Sequence, residues 1–365
     1  LTEINRAAWS EATVPKRQRE QRGRTMQAWT WSGGTHAVQR PTRVWVLRAE
    51  AIASLAAIFA LAATALRPDA DVLTMTHADA PPAPEADATA KPPAPALTGR
   101  EILIAGYVAQ PAYQASDVHM TRPDATDVTL KGLGWDGDAL RFPIDGGVRS
   151  VEWWGPAGFM VDFLHNKAVS RLGKGAHGRK LANPVIEDVD AEGSLAGRPV
   201  APPVTLTDVF ERLEFTHGHN VLLFTGLLRP ASLTPRLRPY FGVGLGFALP
   251  HVEVWFPGGA RDDRTSEYQY AGPAAQALAG LEIRSGKVSY FLEYKVTWAQ
   301  ISAALTGDES WMDFMLPGDL LRQLGRWWRG EAPRLGRVET TLTAHQVAIG
   351  AGYWWQLGRP AAAAP

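Results

Sequence analysis

Seven of the nine histidines in this 365-residue chain, His119, His165, His177, His217, His219, His251 and His345, lie within residues 101–365, interspersed with Asp117, Asp162, Glu253 and Glu267. Neutral imidazole is the commonest metal ligand among side chains and titrates near neutral pH. Two imidazoles and a carboxylate around an open position suit ferrous iron, and an oxidation using dioxygen needs a redox metal or an organic cofactor, because no ordinary side chain activates oxygen. The spacing contains no i, i+4 histidine pair; the one close pair is His217-Gly218-His219, which strand alternation would put on one face. If a divalent metal such as iron is held, the expected ligands are His165, His217, His219 and His251, with Asp117 or Glu267 completing the shell. Asp117, His119, Asp162, His165 and Glu267 are the candidate catalytic groups. The competing reading is structural, since rim histidines also satisfy loop backbone and cap strands.

What would bring these residues together is a set of strands. Period-two alternation with β-rich composition occurs at about 101–110, 146–154, 159–168, 219–229, 238–249, 273–284, 287–298 and 341–357. Gly155-Pro156-Ala157-Gly158, residues 230–237 and Ser285-Gly286-Lys287 are turn chemistry, whereas the alternate links are long. Short turns at one end and long loops at the other predict an all-β fold, an eight-stranded antiparallel up-and-down β-barrel. Phe241, Val243, Leu245, Phe247 and Leu249 share one side of a strand whose other side holds Gly242, Gly244 and Gly246, which suits an apolar exterior and a cramped interior. In the seventh strand Val288, Tyr290, Leu292, Tyr294, Val296 and Trp298 form the apolar row, and Glu293 and Lys295 point inward to pair with charges on neighbouring strands. A soluble barrel or sandwich with its core on the apolar side is the alternative. All seven histidines are expected at the long-loop end.

Several stretches in order along this region carry a resemblance: Ser116-Asp117-Val118-His119, Asp162-Phe163-Leu164-His165-Asn166-Lys167, Thr216-His217-Gly218-His219-Asn220, Pro239-Tyr240-Phe241-Gly242, Pro250-His251-Val252-Glu253, Glu267-Tyr268-Gln269-Tyr270 and Glu293-Tyr294-Lys295. Over about residues 101–357 the series resembles the lipid A oxidase family. The resemblance implies an outer-membrane barrel of a Gram-negative bacterium that oxidises the proximal glucosamine of lipid A to an aminogluconate.

The residues before the barrel have a different character. Residues 1–48 form a basic arm with nine Lys/Arg and three Asp/Glu; residues 49–66 are an apolar stretch whose one charge is Glu50; residues 67–99 form a linker rich in Pro, Ala and Asp; the barrel spans 100–357, and 358–365 is an Ala/Pro tail. Eighteen helical residues would span about 27 Å, enough for a thin bilayer core. The basic flank before the segment and the acidic one after it predict a single transmembrane helix with a cytoplasmic N-terminus and a periplasmic barrel, at the inner membrane. A cleavable signal peptide is the alternative reading of the same segment and would send the barrel to the outer membrane. The linker composition favours an extended chain that buries no core.

Two functions are therefore expected in competition. In the first, the barrel is a periplasmic docking module of an accessory subunit in an inner-membrane complex, with other subunits and membrane lipid as partners. A fainter resemblance, to accessory subunits of bacterial photosynthetic reaction-centre and light-harvesting complexes, attaches to this arrangement, although the apolar segment lacks a histidine for a pigment. In the second, the chain is a lipid A oxidase. Contacts with membrane or partner are expected at Trp45, Ile52, Leu55, Phe59 and Leu66. They are also expected at Leu320, Leu324, Trp327 and Trp328, on a helix begun by Pro317-Gly318-Asp319 and ended by Gly330, which could instead pack over the barrel mouth. Belts of interfacial tryptophan are expected at Trp153, Trp154, Trp354 and Trp355 near the short turns and Trp298 near the other end. A formal net charge of zero gives no footprint for nucleic acid, and the absence of cysteine excludes disulfides and thiolate metal sites.

Overall fold

Alternation of outward apolar and inward polar or small side chains governs the architecture, seen here in a computed structural model that describes residues 100–230, 236–309 and 316–357. The expected arm, apolar helix, linker and tail, with Trp45, Ile52, Leu55, Phe59 and Leu66, lie outside the described residues. Short two-residue bridges apart, the strands are β1 (Arg100–Tyr113), β2 (Ser116–Arg122), β3 (Thr126–Leu133), β4 (Gly146–Trp154), β5 (Ala157–Ser170), β6 (Asp188–Leu195), β7 (Arg212–Leu228), β8 (Leu237–Ala248), β9 (His251–Trp255), β10 (Thr265–Tyr268), β11 (Gly272–Ser285), β12 (Val288–Leu305) and β13 (Gly336–Leu357), with one long helix, α1 (Leu316–Trp328). Eight of them run antiparallel in the order β1, β4, β5, β7, β8, β11, β12, β13, and the pairing of β13 with β1 closes the ring. Among the described residues no helix is long and apolar enough to cross a membrane.

The eight expected strands are all present, and several run further than their alternation suggests. Strand β7 begins at Arg212, β12 ends at Leu305 and β13 begins at Gly336. These overhangs organise the long links, which are not structureless loops. The upper part of β13 pairs with β2, which pairs with β3 and then β6. The upper part of β7 pairs with β9, which pairs with β10. Their apolar faces meet above the ring in a dry core of Met120, Leu130, Leu133, Leu213, Phe215 and Ile301, each at most 1 % exposed.

In the ring itself the order is inverted. Val243 and Leu245 are 71 % and 72 % exposed on the outer wall, joined there by Ile104, Val148, Leu228 and Ile349. The lumen is filled by charge. Lys295 Nζ lies 2.7 Å from Asp162, Arg149 Nη1 lies 2.7 Å from Glu293, and the Tyr107 and Tyr240 hydroxyls donate to Asp162 and Glu293 at 2.8 Å. Glu293 and Lys295 thus find partners that reach across the lumen rather than on the next strand. A second set near the short turns joins Arg229 and Arg284 to Glu101. An apolar exterior around a polar interior is the arrangement a bilayer selects and water does not. Gly280 marks how tightly the lumen is filled, since a Cβ there would run into the Tyr240 ring.

The tryptophan belts are partly corrected. Trp154, Trp298 and Trp355 lie on the outward side, but Trp153 is buried inward with Arg229 over its ring, and Trp354 turns to the same side beneath Arg284. Inward and outward residues alternate, so only one member of each Trp-Trp pair can face outward.

Candidate metal centre

Where β7 leaves the ring its register with β5 slips between Phe215 and His219, and Gly218 adopts φ +129°, a value that suits glycine. This bulge separates the two histidines that simple alternation would place on one face. His219 stays with the wall, fully buried, its Nδ1 3.1 Å from the Tyr113 hydroxyl. His217 belongs instead to the upper cluster, its Nδ1 2.6 Å from Glu253 Oε1. Glu253 is on β9 directly opposite Glu214, two residues from His251, so His251 and Glu253 share a strand face.

Three imidazoles surround the Glu253 carboxylate. His177, at φ +56° in the link between β5 and β6, has its ring centroid 4.2 Å from that of His217. The His217 ring is 4.7 Å from that of His251, which is 4.6 Å from the Tyr268 ring. His251 Nδ1 lies 3.4 Å from Glu253 Oε1. One ligand atom each from His177, His217 and Glu253 falls within 4.8 Å of the others. Atoms bound to one ion at about 2.0–2.2 Å stand about 3–4 Å apart, so a small side-chain adjustment closes the set. His177 Nε2 and His251 Nε2 are buried and have no hydrogen-bond partner among the described residues. Buried polar atoms of that kind call for an explanation, and a shared cation supplies one.

The surroundings fix the carboxylate. Thr216 donates to Glu253 Oε1 at 2.9 Å, Arg212 Nη1 donates to Oε2 at 2.5 Å, and the Tyr268 hydroxyl donates to the His217 carbonyl at 2.8 Å. These groups lie in the overhang beyond the exposed apolar wall. Burial opposes the charge on Glu253, yet hydrogen bonds from His217 and His251 hold its pKa well below the ordinary carboxylate range. Burial, helped by the charge of His217, lowers His177 to about 4, so it is neutral at pH 7 and free to offer a lone pair. Burial and then the charge of Glu253 push Glu214 up to about 8, so it keeps its proton. The site opens to solvent on one side through His217, whose side chain is 22 % exposed.

Of the four expected ligands, His217 and His251 converge and the other two do not. His165 is on the outward side of the wall, its Nδ1 2.8 Å from Asn220 Oδ1, while His219 stays with Tyr113. The proposed partners Asp117 and Glu267 are also elsewhere. Asp117 accepts from Gly132 N at 2.8 Å near the exposed rim, and Glu267 lies beneath α1, 2.7 Å from Arg326. His119 pairs with Asp127 at 2.9 Å on the exposed face of β2, and Asp162 belongs to the lumen network. His345 turns outward to Gln114 and Tyr294. The histidines therefore occupy several different surfaces. The members of the cluster that sequence reasoning left out of the set are His177 and Glu253.

No family model matches this sequence, and no curated protein matches it. Among solved structures, it overlaps the crystal structure of Ail, the attachment invasion locus protein of Yersinia pestis, in complex with the heparin analogue sucrose octasulfate. The TM-score is 0.28 and the identity 9 %, over 71 % of this chain and all of Ail. It overlaps the CymD monoaromatic hydrocarbon channel with a TM-score of 0.16 and 6 % identity, over 72 % of this chain and 89 % of CymD. Overlaps this slight add nothing to the closed ring already described.

Proposed function

We propose that this chain is a membrane-embedded β-barrel of outer-membrane type whose mouth holds one divalent metal, and that it oxidises the proximal glucosamine of lipid A. The observation that carries this reading is the meeting of His177, His217 and Glu253 at one point above the lumen. Two imidazoles and a carboxylate, with the remaining positions open, suit ferrous iron. When bound, iron supplies the oxygen chemistry that side chains lack. The chain's own residues do the rest: Arg212 and Thr216 orient Glu253, Glu214 keeps a proton beside it, and His217 faces the opening. The choice of lipid A follows from the resemblance to lipid A oxidases and from the apolar outer wall, which would hold the mouth at the level of lipid headgroups. In cells expressing the full chain, mass spectrometry of extracted lipid A should show a species heavier by one oxygen, absent when Glu253→Gln is expressed to the same level. Lipid A unchanged in the presence of folded, iron-loaded wild type would contradict the reading.

A second reading is favoured by a different observation, the apolar run 49–66 between a basic arm and an acidic linker. On that reading the barrel is the docking module of an anchored accessory subunit in an inner-membrane complex, the photosynthetic type included. Separated inner and outer membranes decide between the two. Recovery in the inner membrane, with co-migrating subunits that are lost on deletion of residues 1–66, would favour the subunit; recovery of the barrel alone in the outer membrane would favour the enzyme.

A further inference from the structure

Helix α1 is docked the wrong way round for a soluble protein. Its Leu320, Leu324, Trp327 and Trp328 form the stripe expected to meet membrane or a partner, or else to pack over the barrel mouth; in the structure Leu324, Trp327 and Trp328 are 54 %, 54 % and 90 % exposed, Leu321 beside them is 68 % exposed, and Leu320 is half-buried. The buried side is polar: Asp319 and Gln323 are 1 % and 6 % exposed. Asp319 Oδ2 accepts from Tyr268 N at 2.9 Å, Gln323 accepts from Tyr270 N at 2.8 Å and donates to Tyr270 O at 3.0 Å, and Arg326 binds Glu267 and Asp308. Asp319, Gln323 and Arg326 are spaced i, i+4, i+7, one helical face. Hydrogen bonds to backbone fix this orientation, so the helix cannot roll to hide its apolar side without losing them.

The exposed stripe continues the outer wall. Phe247, the top exposed apolar residue of β8, packs 6.0 Å from the Tyr270 ring, and Tyr270 packs 6.0 Å from Trp327. Beside Trp327 opens a cavity of about 690 Å³ between α1 and the overhanging β12 and β13, lined also by Arg326, Arg334 and Arg337. Of the three acidic residues that line it too, Asp308 and Glu331 are already paired with Arg326 and Arg329, and Asp262 meets Arg334 through its backbone carbonyl. Arg334 and Arg337 are held by neutral oxygens instead. Arg334 donates to the carbonyls of Thr306 and Asp262, and Arg337 Nη1 donates to Ser302 Oγ at 3.0 Å. A guanidinium with donors still available beside an apolar surface is suited to a phosphate oxygen.

We infer that α1 is an interfacial helix lying in the bilayer surface, and that the cavity beneath Trp327 receives the anionic phosphate headgroup of a membrane lipid through Arg334 and Arg337. The inference rests on the barrel's being membrane-embedded, and its test separates the two claims. Because the chain has no cysteine, a nitroxide label can be placed at Leu324→Cys on the helix or at Val243→Cys on the wall in the full chain. The labelled protein is reconstituted in vesicles of phosphatidylcholine with phosphatidylglycerol. Both labels should be accessible to oxygen and protected from a water-soluble nickel chelate. A wall label in lipid with a helix label in water, or one shielded from both reagents by protein, overturns the inference and leaves the embedded barrel standing; both labels in water overturns both. For the headgroup, native mass spectrometry of wild type from these vesicles should show retained phosphatidylglycerol in preference to phosphatidylcholine. Arg334→Gln/Arg337→Gln should lose that preference at least several-fold with the ring still folded. Equal retention by the variant overturns the cavity as the site. Complete displacement of retained phosphatidylglycerol by excess inorganic phosphate, with the Leu324 label in water, identifies a site for soluble anions and also overturns it.

Discussion

Replacement of Glu293 by leucine should cost the barrel about 3–5 kcal/mol of stability, the penalty of leaving buried charges without their partner. Glu293 sits in the lumen between Arg149 Nη1 at 2.7 Å and Lys295 Nζ at 3.2 Å, and accepts from the Tyr240 hydroxyl. Its removal leaves the Arg149 guanidinium buried without a counter-charge of its own, with the Phe291 ring 3.7 Å below it and the Tyr240 hydroxyl as a neutral acceptor. Lys295 keeps Asp162 and suffers less. The double replacement Arg149→Met/Glu293→Leu should therefore be milder than Glu293→Leu alone, since it leaves an apolar pair instead of an orphan charge. Reversible chemical unfolding of the three proteins in the same lipid gives the comparison. A single variant no less stable than the double would mean that the lumen is wetter than its burial indicates.

The second large effect concerns the metal. His217→Ala and Glu253→Gln should each abolish stoichiometric binding of ferrous iron, lowering affinity by well over the 10–100-fold typical of residues that merely support a ligand. Thr216→Ala, which removes a hydrogen bond to Glu253 but no ligand, should fall within that smaller range. His165→Ala and His219→Ala should leave binding unchanged, because their rings pair with Asn220 and Tyr113 away from the cluster. Titration of each purified full-length variant with ferrous iron under anaerobic conditions reads these differences. Loss of binding in His219→Ala with retention in His217→Ala would reverse the assignment.

The ring was legible in the sequence because its signal is local. Val243 and Leu245 alternate with Gly242, Gly244 and Gly246, and nothing beyond period two is needed to place them outside and inside. The flap strands β2, β3 and β6 were not legible, since they pair only because β13 extends upward from the ring to meet them. Helix α1 was found at the right place with its apolar stripe outward, but the polar face that docks it was not legible. The sequence shows a stripe of Leu324, Trp327 and Trp328, but the backbone groups of Tyr268 and Tyr270 that hold Asp319 and Gln323 are set by tertiary structure.

The candidate cluster was legible in part. Pro250-His251-Val252-Glu253 carries the alternation that puts a histidine and a carboxylate on one strand face, and that spacing alone could have promoted Glu253 over Asp117 or Glu267. His217-Gly218-His219 carries the same alternation and misleads, because Gly218 bulges and divides the pair. His177 offered no spacing to read. It reaches the cluster from a link between β5 and β6, 40 residues before His217, through a left-handed turn flanked by Gly175 and Gly178.

The most direct measurement is an anomalous difference map at the iron edge from crystals of the iron-loaded full chain. The account predicts one peak, within bonding distance of His177, His217 and Glu253 and above the lumen. An iron peak at another position, such as the exposed His119, Asp127 and Glu339 group, or no peak in protein that carries iron in solution, would contradict it.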